Sequence, residues 1–189
     1  MARRLHYAFD VPRGRQRFRE LIIYIAGECE NDQFFGATKL NKILFNADFR
    51  AFERFGQPLT GMRYFKLPKG PAPRALVPVV GELVQEGALK PAPPQDEPFE
   101  QRRIVALRKP YLDHFTRDEL DVVDEVIKEL WNKSATAVSD ESHGVAWRAR
   151  NMRDDIPYEA VFLADLPATP DDIVEARELN ERYGWGLRV

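Results

Sequence analysis

The chain has 189 residues, a formal net charge of −2 and a single cysteine, Cys29. Apolar residues make up 44% and charged residues 31%, which excludes an intrinsically disordered chain and is typical of a folded domain. The small net charge excludes a general attraction to nucleic acid or anionic membranes. No apolar run reaches the roughly 20 residues of a membrane helix, and the lone thiol favours a reducing, cytoplasmic compartment.

A basic segment opens the chain. Residues 1–19 contain six arginines and one acid. Because Pro12 and Gly14 interrupt the segment, residues 1–17 are predicted to form a basic arm. Apolar residues at helical spacing then predict an amphipathic first helix that extends to Cys29.

The central element is predicted as a helix over residues 38–55. Thr38 is suited to cap its N-terminus, Gly56 suits a left-handed residue after the last turn, and Pro58 prevents continuation. Two apolar stripes follow this helix, Leu40, Ile43, Leu44, Ala47 and Ala51 on one and Phe45, Phe49 and Phe52 on the other. A helix that is apolar on two faces is typical of the middle of a bundle.

The middle of the chain predicts a small β element. Alternation over residues 62–67 indicates a strand, followed by a tight loop at 69–71 and a helix that begins near Pro73. Residues 90–101 hold four prolines and are predicted to form an exposed loop. Residues 102–108 predict a second strand that pairs with the first.

The last third of the chain is predicted to be mostly helical. Thr116 and Glu119 fit a capping box before an apolar run, and a short helix is expected over residues 135–143. Residues 157–163 are expected to be extended or irregular. Thr169, followed by a proline and two acids, predicts the start of a final helix that ends before the next glycine.

Together these elements predict a mainly α fold of the α+β class. We expect a helical bundle around the 38–55 helix, with a small antiparallel sheet of two or three short strands. A single domain is expected over residues 1–189. Within it, residues 148–189 form a C-terminal extension that contains the last helix.

The sequence lacks recognisable catalytic motifs. Its glycines form no phosphate-binding loop or dinucleotide motif, and one cysteine cannot supply a zinc-binding pair. The three histidines lie far apart and have no partner at helical spacing. We therefore expect a protein that is not an enzyme and that holds no metal or cofactor.

Two polar residues have functional and structural interpretations. Asp48 lies in the apolar central helix, where a carboxylate needs a partner. It is expected to anchor the fold by accepting hydrogen bonds from a neighbouring loop or arginine, and a binding or catalytic acid is the alternative. His143, four residues before Trp147, fits either a recognition pair or a helix-terminal histidine bonded to backbone.

Several short motifs occur in a characteristic order. Residues 39–48 read Lys-Leu-Asn-Lys-Ile-Leu-Phe-Asn-Ala-Asp, and residues 55–59 read Phe-Gly-Gln-Pro-Leu. A Gly-Pro pair follows at 70–71, and a Ser-rich segment at 134–143 ends in His, with Trp147 soon after. This ordered set resembles the Panacea domain, the family of SocA-like antitoxins.

The resemblance implies a prokaryotic or phage-associated protein that neutralises a cognate toxin by direct contact. The toxin is expected to be encoded by an adjacent gene. The residues interpreted as partner-binding are Lys39, Lys42, Gly70, Pro71, His143 and Trp147. Both lysines are expected to be exposed. Asp48 and Ser142 are interpreted as structural or motif residues.

Two alternatives remain at this point. A nucleic-acid-binding regulator could contact phosphates through the basic start, with Arg3, Arg4, Arg13 and Arg15 as its contacts. The small net charge favours instead a solubilising face balanced by acids. An enzyme with a site formed by Asp48 and His143 would require the two side chains to converge in a cleft.

Overall fold

The computed structural model describes residues 5–92, 102–163 and 170–183. Its helices are α1 (Gly14–Glu28), α2 (Ala37–Phe55), α3 (Leu76–Gln85), α4 (Arg117–Leu130), α5 (Ala135–Glu141), α6 (Val145–Arg148) and α7 (Pro170–Tyr183), with a 3-10 segment at Tyr158–Phe162. Its strands are β1 (Tyr64–Leu67), β2 (Gly70–Pro73), β3 (Leu89–Pro91), β4 (Ile104–Ala106) and β5 (Asp155–Ile156). The predicted mainly α fold with a small antiparallel β element is confirmed.

Helix α2 lies at the centre of the fold, as its two apolar stripes predict. It packs against α1, α4, α5, β2 and the 3-10 segment. Ile43, Leu44 and Ala47 are completely buried, and burying one large aliphatic side chain contributes roughly 1.5–3 kcal/mol. The predicted C-terminus is confirmed, because Gly56 has a φ of 73°. Gly36, rather than Thr38, precedes the first turn.

The strands form two separate antiparallel sheets. One has the order β2-β1-β5 and the other pairs β3 with β4. The prediction that the 102–108 strand pairs with the 62–67 strand is therefore wrong. The partner of β4 is β3, so residues 90 and 91 belong to a strand and not to the predicted 90–101 loop.

The β1–β2 hairpin also corrects the predicted loop and helix start. Leu67 pairs with Gly70 across a two-residue turn, so Gly70 and Pro71 belong to a strand and not to a loop. Pro73 ends this strand, and α3 begins three residues later. The hairpin thus brings the Gly-Pro pair onto the surface of α2, against which β2 packs.

The basic arm is shorter than predicted. Helix α1 begins at Gly14, directly after Arg13, which has a left-handed φ of 58°. Arg15 and Arg17 therefore lie within a helix and not in an arm.

Local capping signals at the later helices are largely confirmed. Thr116 and Glu119 form the predicted capping box at α4, each side chain accepting from the other residue's backbone N–H. Residues 158–162 are a 3-10 segment rather than extended. Helix α5 ends at Glu141, two residues earlier than predicted, and Gly144 precedes α6.

Some predictions lie outside the described residues. These are the positions of Arg3 and Arg4, most of the proline-rich 90–101 segment, the Thr169 cap and the stop of the last helix at Gly184. Within the described part, each helix is too short or too polar to span a bilayer.

Candidate functional site

Lys42 is the central residue of the site. It lies on α2 between the two apolar stripes, and only 1% of its surface is exposed. Its Nζ donates a hydrogen bond to the carbonyl oxygen of Pro71 at 3.3 Å. Burial lowers the pKa of this amine from 10.5 to about 7, because removal from water disfavours the charged form. The interpretation of Lys42 as exposed is therefore wrong.

Gly70 allows three elements to meet around that amine. Its φ is 96°, a conformation that favours glycine. A Cβ atom at this position would overlap Lys42 Nζ and Ser142 Oγ, so those two polar groups approach the backbone of β2 from α2 and from the end of α5. We call the set Lys42, Gly70, Pro71 and Ser142 the Lys42 junction.

Ser142 is the contribution of α5 to the Lys42 junction. It directly follows the last helical residue, and its Oγ donates to the carbonyl oxygen of Ser139 at 2.7 Å. The sequence interpretation gave Ser142 a structural or motif role. The structure adds a specific location for it, beside a buried amine that lies 100 positions earlier in the chain.

Trp147 fastens α6 to the same hairpin. Its Nε1 donates to the carbonyl oxygen of Leu67 at 2.9 Å. The His143 ring stacks on the indole at 4.0 Å between centroids, and Lys66 Nζ lies 3.8 Å from the indole centroid. Lys66 Nζ also donates to the Arg150 carbonyl at 2.7 Å. The chain's own side chains thus occupy much of the Trp147 ring surface.

Two buried polar atoms close to this region have no hydrogen-bond partner within the described structure. They are His143 Nε2 and Asn41 Oδ1. A buried polar group without a partner destabilises the fold by about 1–3 kcal/mol. Such groups are uncommon in proteins, and each calls for a structural or functional explanation.

A pocket of about 330 Å³ adjoins the Lys42 junction. It lies between the first half of α2 and the β1–β2 hairpin, and its lining includes Asn41, Lys42, Gly70 and Pro71. Most of the lining surface is apolar. The pocket therefore places the Gly-Pro motif and the lysine motif on a common cavity wall.

Lys39 has a different role from the one predicted. It is 1% exposed, and its Nζ forms an ion pair with Asp32 at 2.6 Å. The other carboxylate oxygen of Asp32 accepts from the Phe34 backbone N–H at 2.9 Å. Lys39 thus joins α2 to the α1–α2 connection, and its interpretation as an exposed contact residue is wrong.

Asp48 has the hydrogen bonds expected of a structural anchor. It is fully buried and accepts from the Thr60 backbone N–H at 2.7 Å and from the Tyr64 hydroxyl at 2.7 Å. The Thr60 hydroxyl donates to it as well. Burial raises the pKa of the Asp48 carboxyl, and these hydrogen bonds oppose the rise. Asp48 and His143 have separate sets of partners, so they do not form the catalytic pair that one alternative requires.

The described arginines of the basic start already contact other side chains of the protein. Arg13 Nη1 lies 3.1 Å from His114 Nδ1, and Arg15 forms an ion pair with Glu82. The Arg15–Glu82 pair leaves less uncompensated charge for phosphate binding than the sequence indicates, whereas the imidazole beside Arg13 carries no negative charge and does not offset that guanidinium.

Asn41 and Lys66 were not among the site residues predicted from the sequence. Asn41 lies inside the 39–48 motif, directly before Lys42, so the motif itself was the available signal. Lys66 is adjacent to Leu67 in the predicted strand, but nothing local indicates that its amine reaches a tryptophan 81 positions later. Within the described residues, no group of His, Cys, Asp or Glu is placed to hold a metal ion.

Comparison with known proteins identifies one relationship. A family model described as antitoxin SocA-like, Panacea domain, matches residues 40–148, more than half of the chain. The match begins in α2 and ends with the last residue of α6, so it contains the whole Lys42 junction together with Trp147. No curated protein and no solved structure matches the chain.

Proposed function

Because the chain belongs to the SocA-like Panacea antitoxin family, we propose that it neutralises a cognate protein toxin by binding it directly. The family match carries this proposal, since it spans the central helix, the hairpin and the α5–α6 region in one continuous segment. In this proposal the chain acts by binding and is not an enzyme.

Occlusion of the toxin's active surface is the proposed mechanism. A stable interface of ordinary size buries about 1,600 Å² in total and takes roughly 20–30 residues of each partner, more than line the pocket beside Lys42. We place the contact surface over the end of the β1–β2 hairpin and the adjoining α5–α6 region. His143 and Trp147 are partly exposed on this surface, and Gly70 and Pro71 are buried beneath it. Lys39 is excluded because its buried amine is paired with Asp32.

The proposed organism, gene arrangement and compartment are based on the family. We propose a prokaryotic or phage-borne pair in which the toxin is encoded beside the antitoxin, and in which both act in the cytoplasm. DNA binding is not part of the proposal, because Arg15 is paired with Glu82 and the formal net charge of the chain is −2.

Co-expression with the product of the adjacent gene tests the proposal. We expect the neighbouring protein to arrest growth when expressed alone, and co-expression of this chain to restore growth. The two proteins should also co-purify as a stable complex. Co-expression with a toxin from an unrelated pair is the specificity control.

A neighbouring protein that is toxic but is neither bound nor neutralised by this chain would contradict the proposal. Rescue without a detectable complex would contradict the direct-contact mechanism, because neutralisation would then act through synthesis or degradation of the toxin.

A further inference from the structure

The α5–α6 segment, residues 134–148, is lightly attached to the body of the protein; we call it the flap. In α5 only Val138 and Ser139 are buried, and α6 buries none of its residues. It is held by the Trp147 hydrogen bond to the hairpin, by the Lys66 amine over the Trp147 ring and by the burial of Val138, together with a Lys133–Glu141 ion pair with both side chains partly exposed. Exposed ion pairs contribute little stability, so opening the flap costs chiefly the Trp147 hydrogen bond and the burial of Val138, which is far less than unfolding the core.

Polar groups with unfilled hydrogen-bonding capacity lie where the flap meets the body. Lys42 Nζ has three N–H donors when charged, and a single acceptor, the Pro71 carbonyl, is within reach at 3.3 Å. His143 Nε2, on the flap itself, has no partner within the described structure. Unsatisfied buried groups destabilise the closed arrangement and favour a state in which water or a ligand reaches them.

The end of the hairpin also carries amines without a carboxylate partner. Lys42, Lys66 and Lys69 lie there, and within the described residues none of the three forms an ion pair. By contrast, arginines elsewhere on the surface are paired with glutamates, such as Arg50 with Glu129. A cluster of lysines without acids is complementary to a carboxylate.

We propose that the flap lifts from the end of the β1–β2 hairpin and uncovers Lys42, which then receives an acidic side chain of the toxin. This inference rests on the proposed function and names the chemistry of the partner at that site. Ser142 and His143 move with the flap and present further hydrogen-bonding groups to the same carboxylate. Because Gly70 has no side chain, an incoming side chain can approach the Lys42 amine at this point.

The lowered pKa of Lys42 is consistent with this role. With its pKa near 7, a large fraction of the amine is uncharged at neutral pH when no acid is present. A carboxylate beside it would favour the ammonium form and raise that pKa. Lys42 would thus become an ion-pair partner upon binding.

Opening of the flap is tested in the free protein by chemical labelling of amines. Reductive methylation with formaldehyde and a borane reagent, followed by mass spectrometry, gives the labelling rate of each lysine. Trp147→Phe removes the hydrogen bond to Leu67 and keeps an aromatic ring. We expect this variant to label Lys42 about tenfold faster, as for the loss of one hydrogen bond, while the exposed Lys69 is unchanged.

Hydrogen exchange of amides in α2 gives the rate of global opening for comparison. If Lys42 of the wild type is labelled faster than the whole protein opens, the flap opens locally. If Lys42 reacts only at the global rate, and Trp147→Phe does not change the difference, the flap does not open and the inference is wrong.

Binding of the toxin is tested with a matched pair of variants. Lys42→Gln should weaken the complex by about tenfold to a hundredfold, and Lys128→Gln, at an exposed position of α4, by no more than about twofold. Circular dichroism confirms that each variant is folded, and Lys42→Met provides a second uncharged variant.

The outcomes separate this inference from the proposed function. A toxin that binds the wild type and both Lys42 variants equally well overturns the inference and leaves the proposed function intact. A neighbouring protein that does not bind the wild type overturns the proposed function, and the labelling experiment on the free protein still decides whether the flap opens.

Discussion

At the scale of single residues, Lys42 combines nearly complete burial with the absence of a charged partner. Lys39, one turn earlier on α2, is equally buried but is neutralised by Asp32. The environments of these two lysines therefore differ in charge compensation and not in exposure. For this reason burial lowers the pKa of Lys42 to about 7 and disfavours its charged form.

Replacement of Lys42 by Met is expected to stabilise the folded chain at neutral and acidic pH. Between pH 7 and 10.5 the unfolded chain holds a proton on Lys42 that the folded chain lacks, so this group makes wild-type stability rise with pH. Below pH 7 the full penalty applies, of the order of 5 kcal/mol. Urea unfolding from pH 6 to 10 should show a higher free energy of unfolding for Lys42→Met than for the wild type, and this difference should disappear as the pH rises.

Lys69→Met is the control for that measurement, because Lys69 is exposed on the same hairpin. It should leave both the stability and its pH dependence unchanged. A Lys42→Met variant that is less stable than the wild type at pH 6 would contradict this prediction. It would show that interactions in the folded state offset the cost of burying the charged amine.

Replacement of Asp48 by Ala is expected to destabilise the chain by about 3 kcal/mol or more. The change leaves the Thr60 amide and the Tyr64 hydroxyl buried with one partner fewer, and it creates a cavity beside α2. Glu53→Ala, an exposed position on the same helix, should change stability by less than about 0.5 kcal/mol. Equal effects of the two changes in thermal unfolding would refute the anchoring role.

At the scale of elements, the β1–β2 hairpin joins α2 to the α5–α6 region. β2 packs on α2, Gly70 admits Lys42 and Ser142, and the Leu67 carbonyl accepts from Trp147. Local sequence signals, such as helix caps and apolar stripes, determine where each of these elements forms. Their mutual position depends on a close approach that a glycine permits.

Gly70→Ala is expected to destabilise the fold more than Gly87→Ala does. Both glycines have a positive φ, 96° and 72°, so both substitutions incur a backbone penalty of about 1–2 kcal/mol. Space is open around Gly87, whereas a Cβ at Gly70 forces Lys42 and Ser142 to move. We expect a further loss of about 1–2 kcal/mol at Gly70 in urea unfolding.

A double-mutant cycle identifies the origin of that further loss. In a Lys42→Ala background the Gly70→Ala penalty should fall part of the way towards that of Gly87→Ala, because the overlapping amine is gone while Ser142 Oγ remains. An unchanged penalty would show that the contact with Lys42 is not what requires glycine there.

At the scale of the whole molecule, the hydrophobic core extends beyond the segment that matches the family. Phe18, Leu21 and Ile22 of α1 are completely buried in the same cluster as Ile43 and Leu44 of α2. Helix α1 lies outside the matched residues 40–148. It nevertheless belongs to the core that supports the hairpin, so removal of α1 would expose the buried side of α2.

The distribution of charge over the whole molecule argues against DNA binding. Cross-element pairs join α1 to α3 through Arg15 and Glu82, and α2 to α4 through Arg54 and Glu125. With these arginines paired and a net charge of −2, we expect binding to upstream DNA no tighter than about 10⁻⁵ M at low salt. Fluorescence anisotropy measures this affinity, and tighter binding that weakens steeply with salt would restore the regulator alternative.

The sequence by itself determined the local features of the fold. The α4 capping box, the glycine stop after α2 and the central position of α2 follow from periodicity and capping, which depend on residues within a few positions of one another. The ordered motifs likewise identified the family, because their order and spacing are properties of the sequence itself.

The tertiary structure alone decided which strands pair and which polar residues are buried. The Lys42–Pro71 hydrogen bond joins residues 29 positions apart, and the Trp147–Leu67 bond joins residues 80 apart. Sequence periodicity does not specify such contacts, so β4 was paired with the wrong strand, and Lys39 and Lys42 were expected at the surface. Charged side chains usually favour water. Here their burial depends on Asp32 for one lysine and on the close approach at Gly70 for the other.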